Sequence, residues 1–316
     1  MWIRVPGDRP VFFERFWTNF MIASLYADSS GTSSQELARS FSFNHKPGNL
    51  PVMIWTRELE QLEAAMRAAG SEALRLAAEG FETIRKPDQS PVTSADLAVN
   101  RILHAQLLSA FPHDGWLSEE SPDDAGRLQK DRVWVVDPID GTKAFINRVP
   151  EFCISVALIE QGLPIVAAIY NPSTNELFSA IRGEGLRLNH ESIDSRPTNA
   201  EHLPVIALGP WERQTGRFAA LDSSTQHRPM LSIAWALALM ACGRIDAVAT
   251  FEPENEWDVA AGVLLIAEAG GTITDGSGQA LIFNRPTPRY RGIIATSPCC
   301  PASLSRALAS LVPASG

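Results

Sequence analysis

Regular patterning starts after Met53. From Trp55 to Gly80 the apolar residues Leu59, Leu62, Ala65, Met66, Ala69, Leu74 and Leu76 fall at helical spacing, with Glu and Arg between them. That period predicts an amphipathic helix ending at Gly80. The stretch K-P-D-Q-S-P-V-T-S-A-D, Lys86 to Asp96, is irregular at its two prolines. Thr93 or Ser94 then caps a helix carrying Leu97, Val99, Ile102, Leu103 and Leu107. Phe111–Gly115 reads as a turn and Trp116–Leu117 as a short strand, followed by a polar loop or short helix over Pro122–Arg132. Val133–Val136 is apolar on both faces and predicts a buried strand. Pro138 lacks an N–H, so the strand is expected to stop there. The runs Cys153–Glu160, Ile165–Tyr170, Glu176–Ala180 and Leu186–Leu188 alternate with turns at Gln161-Gly162, Asn171-Pro172 and Gly183–Gly185. They predict an antiparallel meander.

The polar region Glu191–His202 separates this α+β half from a second pattern. There the reading is strand Val205–Leu208, helix Gly216–Leu221, apolar helix Ser232–Cys242 and strand Ala247–Ala249. Helix Asp258–Ala269 ends at Gly270-Gly271, with strand pieces Thr272–Thr274 and Gly292–Ala295 and a last helix Pro301–Leu311. Strands alternating with helices predict an α/β half. The expected division is 53–197 and 198–316, with the site between the two halves. Residues 1–52 scatter Arg, Asp and Glu through an aromatic stretch and contain no signal-peptide pattern. One expectation is that Met53 is the native start and the upstream segment a loose extension; the other is an appendage packed on the body.

Composition narrows the function classes. With 316 residues, 45% hydrophobic and 20% charged, the chain is neither disordered in bulk nor a coiled coil. A net charge of -9 argues against nucleic acid as the partner. It also means that an anionic substrate needs something other than side-chain charge to attract it. Of the four cysteines, Cys299 and Cys300 are adjacent and none forms C-x-x-C. Disulfide and thiolate-zinc frameworks are therefore not expected, and a reducing, cytoplasmic location is. The longest apolar run, Ile233–Cys242, is too short to span a membrane, so no stable membrane insertion is expected.

The chemistry centres on W-V-V-D-P-I-D-G-T-K, Trp134 to Lys143. A buried strand ends in two carboxylates, which is costly unless something positive meets them. Asp137, Asp140 and the Ile139 carbonyl are hard oxygen donors that suit Mg²⁺ better than Zn²⁺. Gly141 and Thr142 open a helix over Lys143–Asn147, whose free N–H groups make an anion site. The competing reading is that Asp137 ends a turn and Asp140 caps that helix. Taken alone, Glu119-Glu120 reads as an acidic loop, Asp258 as an N-cap and Asp96 as a first-turn acid.

In order, K-x-D-x-S-P-V-T-x-A-D, L-S-E-E, W-V-V-D-P-I-D-G-T-K-x-F and W-D-V-A-A-G…E-A-G-G resemble the inositol monophosphatase family. The resemblance runs from about Trp55 to the C-terminus. It implies a layered αβαβα sandwich, shared with fructose-1,6-bisphosphatase, and a Mg²⁺-dependent, often lithium-sensitive phosphatase using two or three ions. Glu119 would ligate the first ion with Asp137 and the Ile139 carbonyl. Asp140 and Asp258 would join Asp137 on a second, and Asp96 would approach a third. Gly141 and Thr142 would hold phosphate by their amides, and Thr142 with Asp96 would orient the attacking water. Glu120 would stand behind Glu119. A homodimer is in keeping with the family.

Within the family, L-S-E-E and D-G-T-K-x-F-I-x-R look most like the 3′(2′),5′-bisphosphate nucleotidase branch, which makes AMP and phosphate from 3′-phosphoadenosine 5′-phosphate. Inositol 1-phosphate or a related polyol phosphate is the alternative substrate. Lys143 is a candidate for substrate anions, or a solvated lysine. His227 and Arg228 are candidates for a 5′-phosphate, or surface residues. The loop F-E-P-E-N-E-W-D, Phe251 to Asp258, is crowded with glutamates that would accept hydroxyls and repel a second phosphate; Glu254 or Glu256 can equally point to solvent. With three tyrosines the chain lacks a tyrosine-rich segment for a sugar bisphosphate.

Overall fold

The computed structural model describes residues 55–194 and 203–311; the expectations for residues 1–52 lie outside them. Two helices come first. α1 (Thr56–Glu79) buries Leu59, Leu62, Ala65, Met66 and Ala69, the stripe read from the sequence. After a small hairpin, β1 (Thr83–Arg85) and β2 (Pro91–Thr93), comes α2 (Ser94–Ala110), capped by Thr93. These helices cover one face of a seven-stranded sheet.

That sheet runs in chain order: β3 (Gly115–Ser118), β4 (Arg132–Asp140), β5 (Cys153–Glu160), β6 (Leu163–Asn171), β7 (Glu176–Ile181), β8 (Leu186–Leu188) and β9 (Glu191–Ser192). β3 and β4 are parallel and the rest form the antiparallel meander. The central strands are apolar on both sides because both faces are covered. Trp134, Val136, Ile154 and Val156 face the α1–α2 layer, while Val133, Val135, Ala157 and Ile159 face the opposite one.

Pro138 does not stop β4, which continues to Asp140. The proline is accommodated in a bulge: Asp137 pairs with Ser155 and Asp140 with Cys153, so the intervening residues leave the register. A bulge removes the ladder hydrogen bond that proline cannot make and re-aims the neighbouring side chains. Helix α3 (Thr142–Ile146) follows.

The second sheet has the order β11-β10-β12-β14-β13: β10 (Val205–Leu208), β11 (Gln226–Pro229), β12 (Ala247–Asn255), β13 (Thr272–Asp275) and β14 (Arg289–Thr296). β10 is parallel to both β11 and β12. The helix expected over Gly216–Leu221 is displaced: α4 is Pro210–Thr215, with the proline at its first position and Gly216, at φ +66°, ending it. A 3₁₀ turn covers Ala219–Leu221. Between the sheets lie α5 (Ile233–Ala241) and α6 (Glu256–Ala269), apolar around nearly their whole circumference. α7 (Ala302–Ser310) packs Leu304 and Leu308 on the outer face of the second sheet. The layers are therefore α, β, α, β, α. Among the described residues no helix is long and apolar enough to cross a membrane.

Candidate active site

The bulge in β4 turns Asp137 and Asp140 toward the N-terminus of α6, where Asp258 waits. The carboxylates of these three residues each offer an oxygen, and those oxygens lie within 4.8 Å of one another. Each acid is held by its other side. Asp137 Oδ1 accepts the Ile139 N–H at 3.0 Å. Asp140 Oδ2 accepts the Ser232 hydroxyl at 2.5 Å and the Ala234 N–H at 2.6 Å, at the N-terminus of α5. Asp258 Oδ2 accepts the Asn255 N–H at 2.6 Å and its side-chain amide at 3.1 Å. One oxygen of each is thus engaged with the protein, which leaves the second for the shared point.

Ion-free, the arrangement is electrostatically crowded. Burial, then Glu119, Asp140 and Asp258, push the Asp137 carboxyl well above its ordinary range. Burial and the neighbouring Asp140 do the same to Asp258. Burial raises Asp140 to about 6, against the pull of its Ser232 and Ala234 hydrogen bonds. Concentrated negative charge with only oxygen donors fits a hard divalent cation, since bound positive charge would reverse all three shifts.

Asp96 sits beside this group, at the start of α2. Its Oδ2 accepts the Thr93 N–H at 2.8 Å and the Thr93 hydroxyl at 2.5 Å, completing a capping box. Its Oδ1 accepts the Thr142 hydroxyl at 3.1 Å. The Ile139 carbonyl is also 3.1 Å from that hydroxyl. A hydroxyl has one proton, so Thr142 donates to one of the two at a time. Burial raises the Asp96 carboxyl despite these donors. Gly141 has φ +89°, and a Cβ there would come within 3.0 Å of the Glu151 carbonyl and 3.1 Å of Ser232 Cβ. Conformation and space both require glycine at this turn.

Glu119 stands near enough to raise Asp137 but is turned to Lys86, whose ammonium donates to Glu119 Oε1 at 2.8 Å and Glu120 Oε1 at 2.6 Å. Burial lifts Glu120 to about 7 against the attraction of Lys86. Lys86 was legible only as part of a motif, with no role of its own. Lys143 is exposed on α3.

Several expectations need correction. Asp258 is not the N-cap of α6: Asn255 is, and Asp258 is the third helical residue answering it. Glu256 does not point to solvent; it is fully buried and accepts the Asn284 and Arg285 N–H groups at 2.7 and 2.9 Å. Glu254 is turned inward, where burial and then Asp258, Asp140 and Glu212 raise its carboxyl strongly. Arg228 is neither a free surface residue nor an empty phosphate clamp, because it pairs with Glu151 at 2.7 Å. His227 lies 3.4 Å from Asp222. A cavity of about 550 Å³, lined in part by Lys130, Asp131, Glu160 and Asn284, lies elsewhere. It opens at the Glu160 end of β5, whereas Asp140 pairs with Cys153 at the other end. Seven strand residues separate them, roughly 23 Å.

Residues 55–315 match the model of the inositol monophosphatase family. The chain belongs to that family, and with it to the phosphoric monoester hydrolases. It is 32% identical over 241 residues to the 3′(2′),5′-bisphosphate nucleotidase CysQ of Escherichia coli K12, covering 73% of this chain and 94% of that protein. It is 37% identical over 229 residues to the Nus factor SuhB of Xylella fastidiosa, covering 68% and 80%. Among solved structures, the extragenic suppressor protein SuhB of Bartonella henselae superposes with a TM-score of 0.71 at 31% identity, over 80% of this chain and 98% of that one. The sandwich expected from the motifs is the fold of these inositol monophosphatase relatives.

Proposed function

We propose that this family member is a Mg²⁺-dependent phosphate monoester hydrolase acting on a 3′(2′),5′-bisphosphate nucleotide and releasing AMP and phosphate. The observation that carries the hydrolytic reading is the convergence of Asp137, Asp140 and Asp258 beside the Asp96–Thr142 pair. The nucleotide reading rests on the L-S-E-E and D-G-T-K-x-F-I-x-R motifs and on the resemblance to CysQ.

Glu119, Asp137, Asp140, Asp258 and the Ile139 carbonyl would hold the ions. When bound there, Mg²⁺ would supply charge for the phosphoryl oxygens and acidify a coordinated water. With its proton donated to Asp96, the Thr142 hydroxyl oxygen is free to accept a hydrogen bond from the attacking water, and the proton that water loses passes through the hydroxyl to the Asp96 carboxylate. The backbone N–H groups of Gly141 and Thr142, at the start of α3, would hold the phosphate and stabilise developing negative charge. Lys86 pairs with both Glu119 and Glu120 and holds the two carboxylates together.

A second reading, an inositol or other polyol phosphate, is favoured by Glu254, whose carboxyl is buried within the influence of Asp258 and Asp140 and can accept a substrate hydroxyl. Phosphate release with Mg²⁺ from 3′-phosphoadenosine 5′-phosphate and from inositol 1-phosphate, at equal concentration, separates the two. The nucleotide reading expects the larger kcat/KM for the nucleotide. A larger value for inositol 1-phosphate establishes the polyol reading, and hydrolysis of neither removes both.

A further inference from the structure

The turn at residues 118–121 carries Glu119 and Glu120 off the end of β3, and a buried amide grips it from α2. Asn100 is 8% exposed and sits among the buried apolar residues Ala95, Val99, Leu103 and Leu107 of that helix. A buried amide costs stability unless its donors and acceptor are met. Here all of them are met by the one turn. Asn100 Nδ2 donates to the Glu120 carbonyl at 3.2 Å and to the Ser121 hydroxyl at 2.9 Å. Asn100 Oδ1 accepts the Ser118 hydroxyl at 2.8 Å. The Glu120 carbonyl can only accept, which fixes the end of the amide that faces it.

Further bonds close the clamp. Ser118 Oγ also accepts the Glu120 N–H at 3.3 Å, and Ser121 Oγ also accepts the Trp116 indole N–H at 3.3 Å. The Glu119 N–H donates to the Val136 carbonyl at 3.2 Å, one residue before Asp137. Asp96 and Asn100 are four residues apart, so they share a face of α2, about 6 Å along its axis. One holds the Thr142 hydroxyl and the other holds the glutamate turn. The helix thus spaces the two. That spacing needs enforcing, because the acids repel: Glu119 and Asp96 both push the Glu120 carboxyl up. Lys86 opposes the repulsion by charge. Asn100 grips backbone and hydroxyls, so its hold does not depend on the charge of the acids.

We propose that Asn100 is a positioning residue for Glu119: through the 118–121 turn it sets Glu119 at a fixed spacing from Asp137 and the Asp96–Thr142 pair, and so sets the affinity for Mg²⁺. This rests on the reading of Glu119 as a cation ligand. It adds to that reading a residue that touches neither ion nor substrate.

The test is titration calorimetry with Mg²⁺ on wild type, Asn100→Leu, Glu119→Gln and the double variant, with melting temperatures in the ion-free state. Leucine keeps the branched shape of asparagine and none of its hydrogen bonds. The expected result is a fall of about tenfold in Mg²⁺ affinity for Asn100→Leu, and no further fall when it is added to Glu119→Gln. Ser121→Ala removes one acceptor and leaves α2 untouched. It is expected to give a smaller fall in the same direction, and it decides by the same comparison if Asn100→Leu does not fold. A lower melting temperature with unchanged Mg²⁺ affinity overturns the proposal, since Asn100 would then serve the fold alone. So does an equal fall in both backgrounds, which would route the effect through another ligand. If wild type binds no Mg²⁺, or Glu119→Gln binds it as wild type does, the ligand reading itself fails and this proposal falls with it.

Discussion

At the scale of single residues, the aspartates at the cluster each serve two partners, and Ser232 shows how far that arrangement reaches along the chain. Its hydroxyl fixes one oxygen of Asp140 while it accepts the Trp235 N–H at 3.0 Å as the N-cap of α5. Ser232→Ala removes the hydroxyl donor but leaves the Ala234 N–H in place. The expected effect is a loss of about 10- to 100-fold in Mg²⁺ affinity, as for other residues that orient ligands from behind. Titration calorimetry with Mg²⁺ reads this directly, and an unchanged affinity would show Ser232 to be a cap alone. Asp137→Asn removes a proposed ligand itself, and more than about a hundredfold loss of kcat is expected with the circular dichroism spectrum intact. Melting decides how that variant behaves as a folded protein. The asparagine is uncharged, so it escapes the repulsion that raises Asp137, and the ion-free variant is expected to melt no lower than wild type. The aspartates were legible because D-P-I-D-G-T and W-D-V-A-A-G pack several chemical requirements into short runs. Ser232 and Lys86 were not, because each acts across a fold that brings distant segments together, and locally they are an ordinary N-cap and an ordinary loop lysine.

Among elements, α6 is fastened at both ends by carboxylates. At its start Glu256 receives two loop amides; in its last turn Glu268 accepts the Gly183 and Gly185 N–H groups, both at 2.8 Å, from the turn between β7 and β8. Burial raises Glu268 to about 7 from an ordinary 4.5, partly offset by those two donors and by Arg182. A carboxyl whose folded pKa is raised binds its proton more tightly in the folded state. Its favourable contribution is therefore complete below about pH 4.5 and is lost as pH rises toward 7. Glu268→Gln does not titrate. Urea unfolding of both proteins from pH 4.5 to 7.5 should show the variant gaining on wild type with rising pH, by at most about 3 kcal/mol. A constant difference would mean that Glu268 stays ionised throughout. The sequence showed α6 clearly and β11 not at all. Gln-His-Arg-Pro has weak strand propensity and becomes a strand because β10 offers it a parallel edge. β12 was read as Ala247–Ala249 and runs on to Asn255, since β14 pairs with Pro253, Glu254 and Asn255 beyond a bulge. Pairing partners of that kind are set by tertiary structure, not by local composition.

For the whole molecule, the acids of the site come from different layers: Asp137 and Asp140 from the first sheet, Asp258 from the helix layer between the sheets. A cation among them ties layers together and binds the folded state alone. Mg²⁺ at 100 times its dissociation constant should add about 2.7 kcal/mol to unfolding stability, raising Tm, and a chelator should reverse it. A Tm indifferent to Mg²⁺ would count against a cation at this cluster. The layered architecture was legible because helices, meander and α/β segments occur in an order that leaves few ways to cover both faces of both sheets.

The middle layer also sets a schedule for synthesis. Val133, Val135, Ala157, Ile169 and Phe178 on the first sheet are covered by Val259, Val263, Leu264 and Leu265 of α6, which leave the ribosome about eighty residues after Phe178. Until then only α5, through contacts such as Trp235 on Phe178, covers part of that apolar face, because α1 and α2 cover only the other. At 5–20 residues per second the interval is roughly 4 to 16 seconds, long enough for neighbouring nascent chains to meet through their partly bare faces. A trigger for aggregation is thus built into the order in which the layers are made, and a chain truncated before Glu256 would carry it permanently.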